Sequence, residues 1–118
     1  MGSLWKTVVI DSQDPAALAR FWAAVLDFHM VYEDDNEAVI ANHEETYPGM
    51  LFNRVPDSKT VKNRLHIDLA PDDRDAEVER LLALGARRVD VGQTGEEPWV
   101  VLADPEGNEF CVLPAHTD

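Results

Sequence analysis

Five residues of this chain recur at one fixed interval: Gly49, Phe52 and Pro56 return 58 positions later as Gly107, Phe110 and Pro114, and the same offset carries Leu26 to Leu84 and Val31 to Val89. A chain that repeats its turn glycines and apolar positions at one spacing is expected to fold as one supersecondary unit built twice. In the first copy Thr7 to Ile10 reads as a strand. Asp14 followed by Pro15 then supplies a capping oxygen and a preset first helical position. Leu18, Phe21, Trp22, Val25 and Leu26 follow at helical spacing and form one apolar stripe that needs a sheet to cover it. Strands are expected over His29 to Glu33, Ala38 to Asn42 and Met50 to Val55, separated by the polar turns Asp34-Asp35-Asn36 and Tyr47-Pro48-Gly49.

The second copy repeats that order. Arg64 to Leu69 alternates, which assigns Leu65, Ile67 and Leu69 to one face of a strand and Arg64, His66 and Asp68 to the other. Pro71, Asp72 and Asp73 open a helix with acids at its positive end, Val78, Leu81 and Leu82 form its stripe, and Gly85 suits its C-terminal cap. Strands are expected over Arg87 to Val91, Trp99 to Ala103 and Glu109 to Leu113, the last two joined by the turn Asp104-Pro105-Glu106-Gly107-Asn108. The expected organisation is one domain over residues 1–118, with βαβββ modules at about 4–56 and 63–114.

Composition limits the partners. Ten Lys and Arg against 23 Asp and Glu give a formal charge of -13, so a phosphate backbone or an anionic membrane surface is repelled over most of the molecule. No nucleic-acid or membrane partner is expected. A hydrophobic content of 45% is that of a chain with a real core rather than an acidic disordered tail. Cys111, the single cysteine, cannot form an internal disulfide, no apolar run approaches the ~20 residues of a membrane span, and Trp5-Lys6 leads into the first strand without a leader-like apolar run. A cytoplasmic location is the expectation.

The Val8-Val9-Ile10 strand ahead of Asp14-Pro15, the Phe21-Trp22 pair, and the closing Asp104-Pro105-Glu106-Gly107-Asn108-Glu109-Phe110 resemble the glyoxalase and bleomycin-resistance group, the vicinal oxygen chelate superfamily. The segment Lys62-Asn63-Arg64-Leu65-His66-Ile67-Asp68-Leu69 resembles the start of the second module in its small glyoxalase-like members. The resemblance covers essentially the whole chain and implies an α+β fold in which two tandem βαβββ modules form a curved mixed sheet around a cleft, usually in a homodimer. It implies a function among metal-dependent lyases, isomerases, epimerases and ring-cleaving dioxygenases, or metal-free proteins that sequester drugs.

In the metal-dependent members, one ligand comes from the first strand and one from the last strand of each module. Counting from the turn motifs places Thr7, Asn53, His66 and Cys111 at those four positions. A hydroxyl and an amide are weak neutral donors, so no catalytic metal and no other cofactor is expected. The candidate ligand-binding residues are Thr7, Asn53, His66, Asp68, Trp99 and Cys111, with Trp99 as a stacking wall and Cys111 as a small packed thiol. Lys59, Lys62 and Arg64 form a local positive cluster suited to an anionic group. His66-x-Asp68 also matches the first half of a facial triad for nonhaem iron, with His116 as a distant third ligand. The expected function is binding of a small organic molecule for sequestration or resistance. The alternative is a lyase, isomerase or epimerase in which His66 is the catalytic acid or base, with or without a divalent metal.

Overall fold

The computed structural model describes residues 2–43, 48–90 and 92–115. The chain divides into two compact units, Met1–Ser58 and Lys59–Asp118. Each is a four-stranded mixed sheet with one helix, which makes the protein α+β.

The first unit runs β1 (Thr7–Ser12), α1 (Pro15–Leu26), β2 (His29–Glu33), β3 (Glu37–Ala41) and β4 (Gly49–Arg54), with sheet order β1-β4-β3-β2. β1 and β4 are parallel, which two strands can be only when a long crossover separates them. Here α1, β2 and β3 supply it. The helix begins where Asp14 accepts a hydrogen bond from the Ala17 N–H at 3.2 Å, with Pro15 in the first turn. It ends at Asp27, which adopts a left-handed φ of 55° while the Phe28 N–H reaches back to the Ala23 carbonyl at 2.9 Å. No glycine announces this cap. Leu18, Phe21, Trp22 and Val25 are buried, as the stripe demands, and lie with Ala38, Ile40, Met50 and Phe52 in the core of this half.

The second unit runs β5 (Ile67–Leu69), α2 (Arg74–Leu84), β6 (Arg87–Arg88), β7 (Val100–Ala103) and β8 (Glu109–Val112), with order β5-β8-β7-β6 and β5 parallel to β8. Asp73 caps α2 by accepting from the Ala76 N–H at 3.1 Å, and Gly85 closes it at φ 121°. Its buried face is narrow, Val78 and Leu81, and the core is completed by Leu69, Val101, Leu102, Phe110 and Val112.

The 58-residue offset survives where it matters for packing. Leu26 and Leu84 each end a helix, and Phe52 and Phe110 are each fully buried opposite an isoleucine, Ile10 and Ile67. That last pairing gives the first strands an offset of 57, since 67 − 10 = 57. Gly49 and Gly107 are not equivalent: Gly49 lies inside β4, whereas Gly107 holds φ 94° in the turn.

Three strand expectations need correction. β5 starts at Ile67, not Arg64, and Leu65 is 85% exposed instead of facing the helix. The cause is Asn63, whose backbone N–H donates to Glu109 at 3.0 Å and whose side chain donates to Asn108 at 2.9 Å. The chain is tied there and bends at Arg64 and Leu65 before joining the ladder, so the alternation breaks. β6 holds only Arg87–Arg88, and β7 begins at Val100, one residue after Trp99. Val91, Tyr47 and His116 lie outside the described residues.

Candidate functional site

The polar frame of the second unit is anchored in its last turn. Asp104 is fully buried and accepts from the backbone N–H groups of Glu106 and Asn108, each at 2.9 Å, and from the Asn108 side chain at 2.9 Å. Asn108 so held accepts from Asn63, and the neighbouring Glu109 accepts from Lys59 Nζ at 2.7 Å. Lys59 is therefore committed to an internal ion pair with only 18% of its side chain exposed, and it is not part of an open anion site.

Burial opposes the charge on Glu109, but bonds from Lys59 and the Asn63 N–H overcome it and hold the carboxyl below its usual range. A group whose folded pKa is depressed contributes stability above its unfolded pKa and loses it as pH falls through the folded value. We expect Glu109→Gln to be less stable than the parent at neutral pH, with the gap closing on acidification below the ordinary carboxylate range. Urea titrations of both proteins across that range measure the gap, and a gap that stays constant into acid would refute the ion-pair origin.

This frame delivers the chain to β5, where Asp68 lies directly opposite Cys111 across the parallel pair. His66 precedes the strand, and its Nε2 is 3.2 Å from Asp68 Oδ1. One ligand atom from each of His66, Asp68 and Cys111 lies within 4.8 Å of the other two. Burial pushes the half-buried Cys111 thiol up from its ordinary range, and the charge and hydrogen bond of Asp68 push it further, with Lys62 opposing.

These groups open into a pocket of ≈ 310 Å³ whose apolar wall is Trp99, Val101, Phe110 and Leu113. Trp99 is 41% exposed, an indole left with a free surface at the mouth of an apolar recess. Four of the six candidate residues, His66, Asp68, Trp99 and Cys111, thus line one pocket within the second unit. The first unit has a larger pocket of ≈ 370 Å³, rimmed by Glu33, Asp34, Asp35 and Arg54, but its groups are spent on local structure. Asp34 closes a turn by accepting from Asn36 and Glu37 at 2.8 Å, and the Arg54 guanidinium donates to the Asp35 and Gln13 carbonyls.

Thr7 and Asn53 belong to the first unit and are not together. Thr7 pairs with Gly49 and Asn53 with Asp11, which separates them by four residues along the β1–β4 pair, roughly 13 Å at ~3.3 Å per residue. The Thr7 hydroxyl donates to the Gly49 carbonyl at 3.1 Å. The strand registers make Val9, not Thr7, the first-unit counterpart of His66, and valine offers no donor atom. Counting back from Asp14 missed this; matching Ile10 to Ile67 would have found it. The four-position ligand set implied by the family resemblance therefore does not fit these residues.

The fold and the pocket define a glyoxalase-like domain, and comparison with known proteins agrees. The family model described as a glyoxalase-like domain matches residues 7–113, and the chain belongs to that family. Among solved structures, a glyoxalase/bleomycin resistance protein/dioxygenase family enzyme from Burkholderia phytofirmans PsJN is similar at 20% identity and TM-score 0.69, over 93% of this chain and 97% of that one. The bleomycin-binding protein of Streptomyces verticillus, complexed with copper(II)-bleomycin, is similar at 20% identity and TM-score 0.60, over 98% and 99% of the two chains. A genomically encoded fosfomycin resistance protein from Listeria monocytogenes is similar at 16% identity and TM-score 0.72, over 98% and 94%. No curated protein matches the chain. Among the described residues no helix is long and apolar enough to cross a membrane.

Proposed function

We propose that this protein binds a small organic molecule with a flat apolar portion in the pocket of its second unit, as a sequestering protein whose binding needs no catalytic metal. The observation that carries the reading is the convergence of an exposed indole, Trp99, with an apolar recess and the polar His66–Asp68 pair. Such a recess with a few placed polar groups is the usual make-up of a small-molecule site. Bleomycin-binding and bleomycin-resistance proteins among the structural neighbours support it.

Titration with bleomycin and with simple aromatic compounds, followed by calorimetry and by mass spectrometry of the recovered ligand, is expected to give saturable binding and unchanged ligand. Trp99→Ala should weaken that binding about tenfold or more, since a stacking side chain is lost. His66→Ala should weaken it by about 1–3 kcal/mol, the range for losing a polar partner. The His66 side chain is 43% exposed, so the melting temperature of the free protein should barely move. A large stability loss without an affinity change would instead make His66 a structural residue.

A second reading rests on the 3.2 Å approach of Asp68 to His66. A carboxylate that orients an imidazole is the arrangement of a general acid or base, which suits a lyase, isomerase or epimerase. Conversion of the bound ligand, abolished by His66→Ala, would select this reading over sequestration. The proposal includes a cytoplasmic homodimer: Leu4, Trp5 and Val9 near one sheet edge and Val61 and Leu65 before another are exposed apolar groups of the kind a second copy covers. Light scattering at tens of micromolar protein is expected to give twice the chain mass, and the mass of a single chain would overturn it.

A further inference from the structure

The failure of the two-module ligand set is accompanied by a donor set within one module. Asp68 and Cys111 are register partners on β5 and β8, and His66, just ahead of β5, brings its Nε2 to 3.2 Å from Asp68 Oδ1. An imidazole nitrogen, a carboxylate oxygen and a cysteine sulfur thereby lie within 4.8 Å of one another. The geometry points to a site for one divalent ion of the zinc type, held by His66, Asp68 and Cys111 of the second unit alone.

The donor types choose the ion. Magnesium and calcium take oxygen ligands, whereas a mixed nitrogen, oxygen and sulfur set suits Zn²⁺ and its spectroscopic substitute Co²⁺. Bonds of about 2.0–2.3 Å place tetrahedral ligands roughly 3.5 Å apart, so the trio has to contract by on the order of 1 Å. His66 and Asp68 already approach to 3.2 Å, and both side chains are about half exposed. As the sulfur–metal bond forms, the Cys111 proton passes to solvent. Three protein ligands leave a fourth position open, and the Trp99 pocket that the three residues line is where it lies. Thr7 and Asn53, in the first unit, are not members of this donor set. The site goes beyond the proposed ligand binding, which stands without an ion.

The test is titration of metal-free full-length protein with Zn²⁺ by calorimetry and with Co²⁺ by absorption spectroscopy. The expected result is one ion per chain, with a near-ultraviolet band from thiolate-to-cobalt charge transfer. Asp68→Asn and His66→Ala should each weaken uptake at least about tenfold, while Thr7→Ala and Asn53→Ala leave it unchanged. Cys111→Ser should remove the band. Circular dichroism checks that each variant folds, and if Cys111→Ser does not, the wild-type cobalt band alone decides sulfur ligation. Absence of saturable uptake, a cobalt spectrum without the thiolate band, or wild-type affinity in Asp68→Asn would each overturn the proposal.

Discussion

Phe110→Ala is expected to destabilise the protein by about 3–5 kcal/mol, a drop in melting temperature on the order of 10–20 °C. Phe110 is 1% exposed and sits on an inner strand of the second sheet, between Ile67 on β5 and Leu102 on β7. Removing the ring forfeits its transfer free energy and leaves a cavity that a close-packed sheet can only partly close. Phe52 is the control, because it is equally buried at the matching position of the first unit, between Ile10 and Ala38. Phe52→Ala should cost a similar amount. Only Phe110→Ala should also alter ligand affinity, since only Phe110 lines the Trp99 pocket. Chemical denaturation and ligand titration of both variants decide it, with Phe110→Leu as a milder form in case the alanine protein is too unstable to titrate. Equal effects on affinity would place the ligand elsewhere.

Asp104→Ala should destabilise by about 3 kcal/mol, because a fully buried carboxylate is lost and the N–H groups it satisfied are left without their partner. The chain Asp104–Asn108–Asn63 also ties down the segment that leads into His66, so the folded fraction of this variant should bind ligand more weakly. Asp104→Asn keeps the shape and one acceptor oxygen and should fall between the two. A variant as stable as the parent would show that water replaces the carboxylate in the turn.

The elements that could be read from the sequence were those with local punctuation. Asp14-Pro15 begins one helix, Pro71-Asp72-Asp73 signals a second that the structure starts at Arg74 with Asp73 as its cap, Gly85 ends it, and the stripe of Leu18, Phe21, Trp22 and Val25 needs nothing but its own spacing. Asp27 ends α1 without a glycine and so gave no signal. The polar frame was illegible for another reason: Lys59 with Glu109, Asn63 with Asn108, and Asp68 against Cys111 are partners forty or more residues apart, joined only when β5 pairs with β8. Spacing along the chain links His66 to Asp68, and the family resemblance links it to Cys111, but all three meet only once β5 pairs with β8. Thr7 is placed by counting back from Asp14, 59 positions before His66, but the strand registers set the offset at 57, and that difference of two residues makes Val9 the counterpart of His66.

The two copies of the repeat are unequally built. β1 spans Thr7–Ser12, but its counterpart β5 spans only Ile67–Leu69, and β6 has just Arg87–Arg88. Short ladders open more easily than long ones, so the half that carries the pocket is expected to show the weaker hydrogen-exchange protection. A ligand that binds only the closed form adds RT ln(1 + [L]/Kd) to its stability, about 2.7 kcal/mol at a hundredfold excess over Kd. If the proposed ligand binds there, proteolysis of this half should slow as ligand is added, and the lifetime of the protein would report what it has bound.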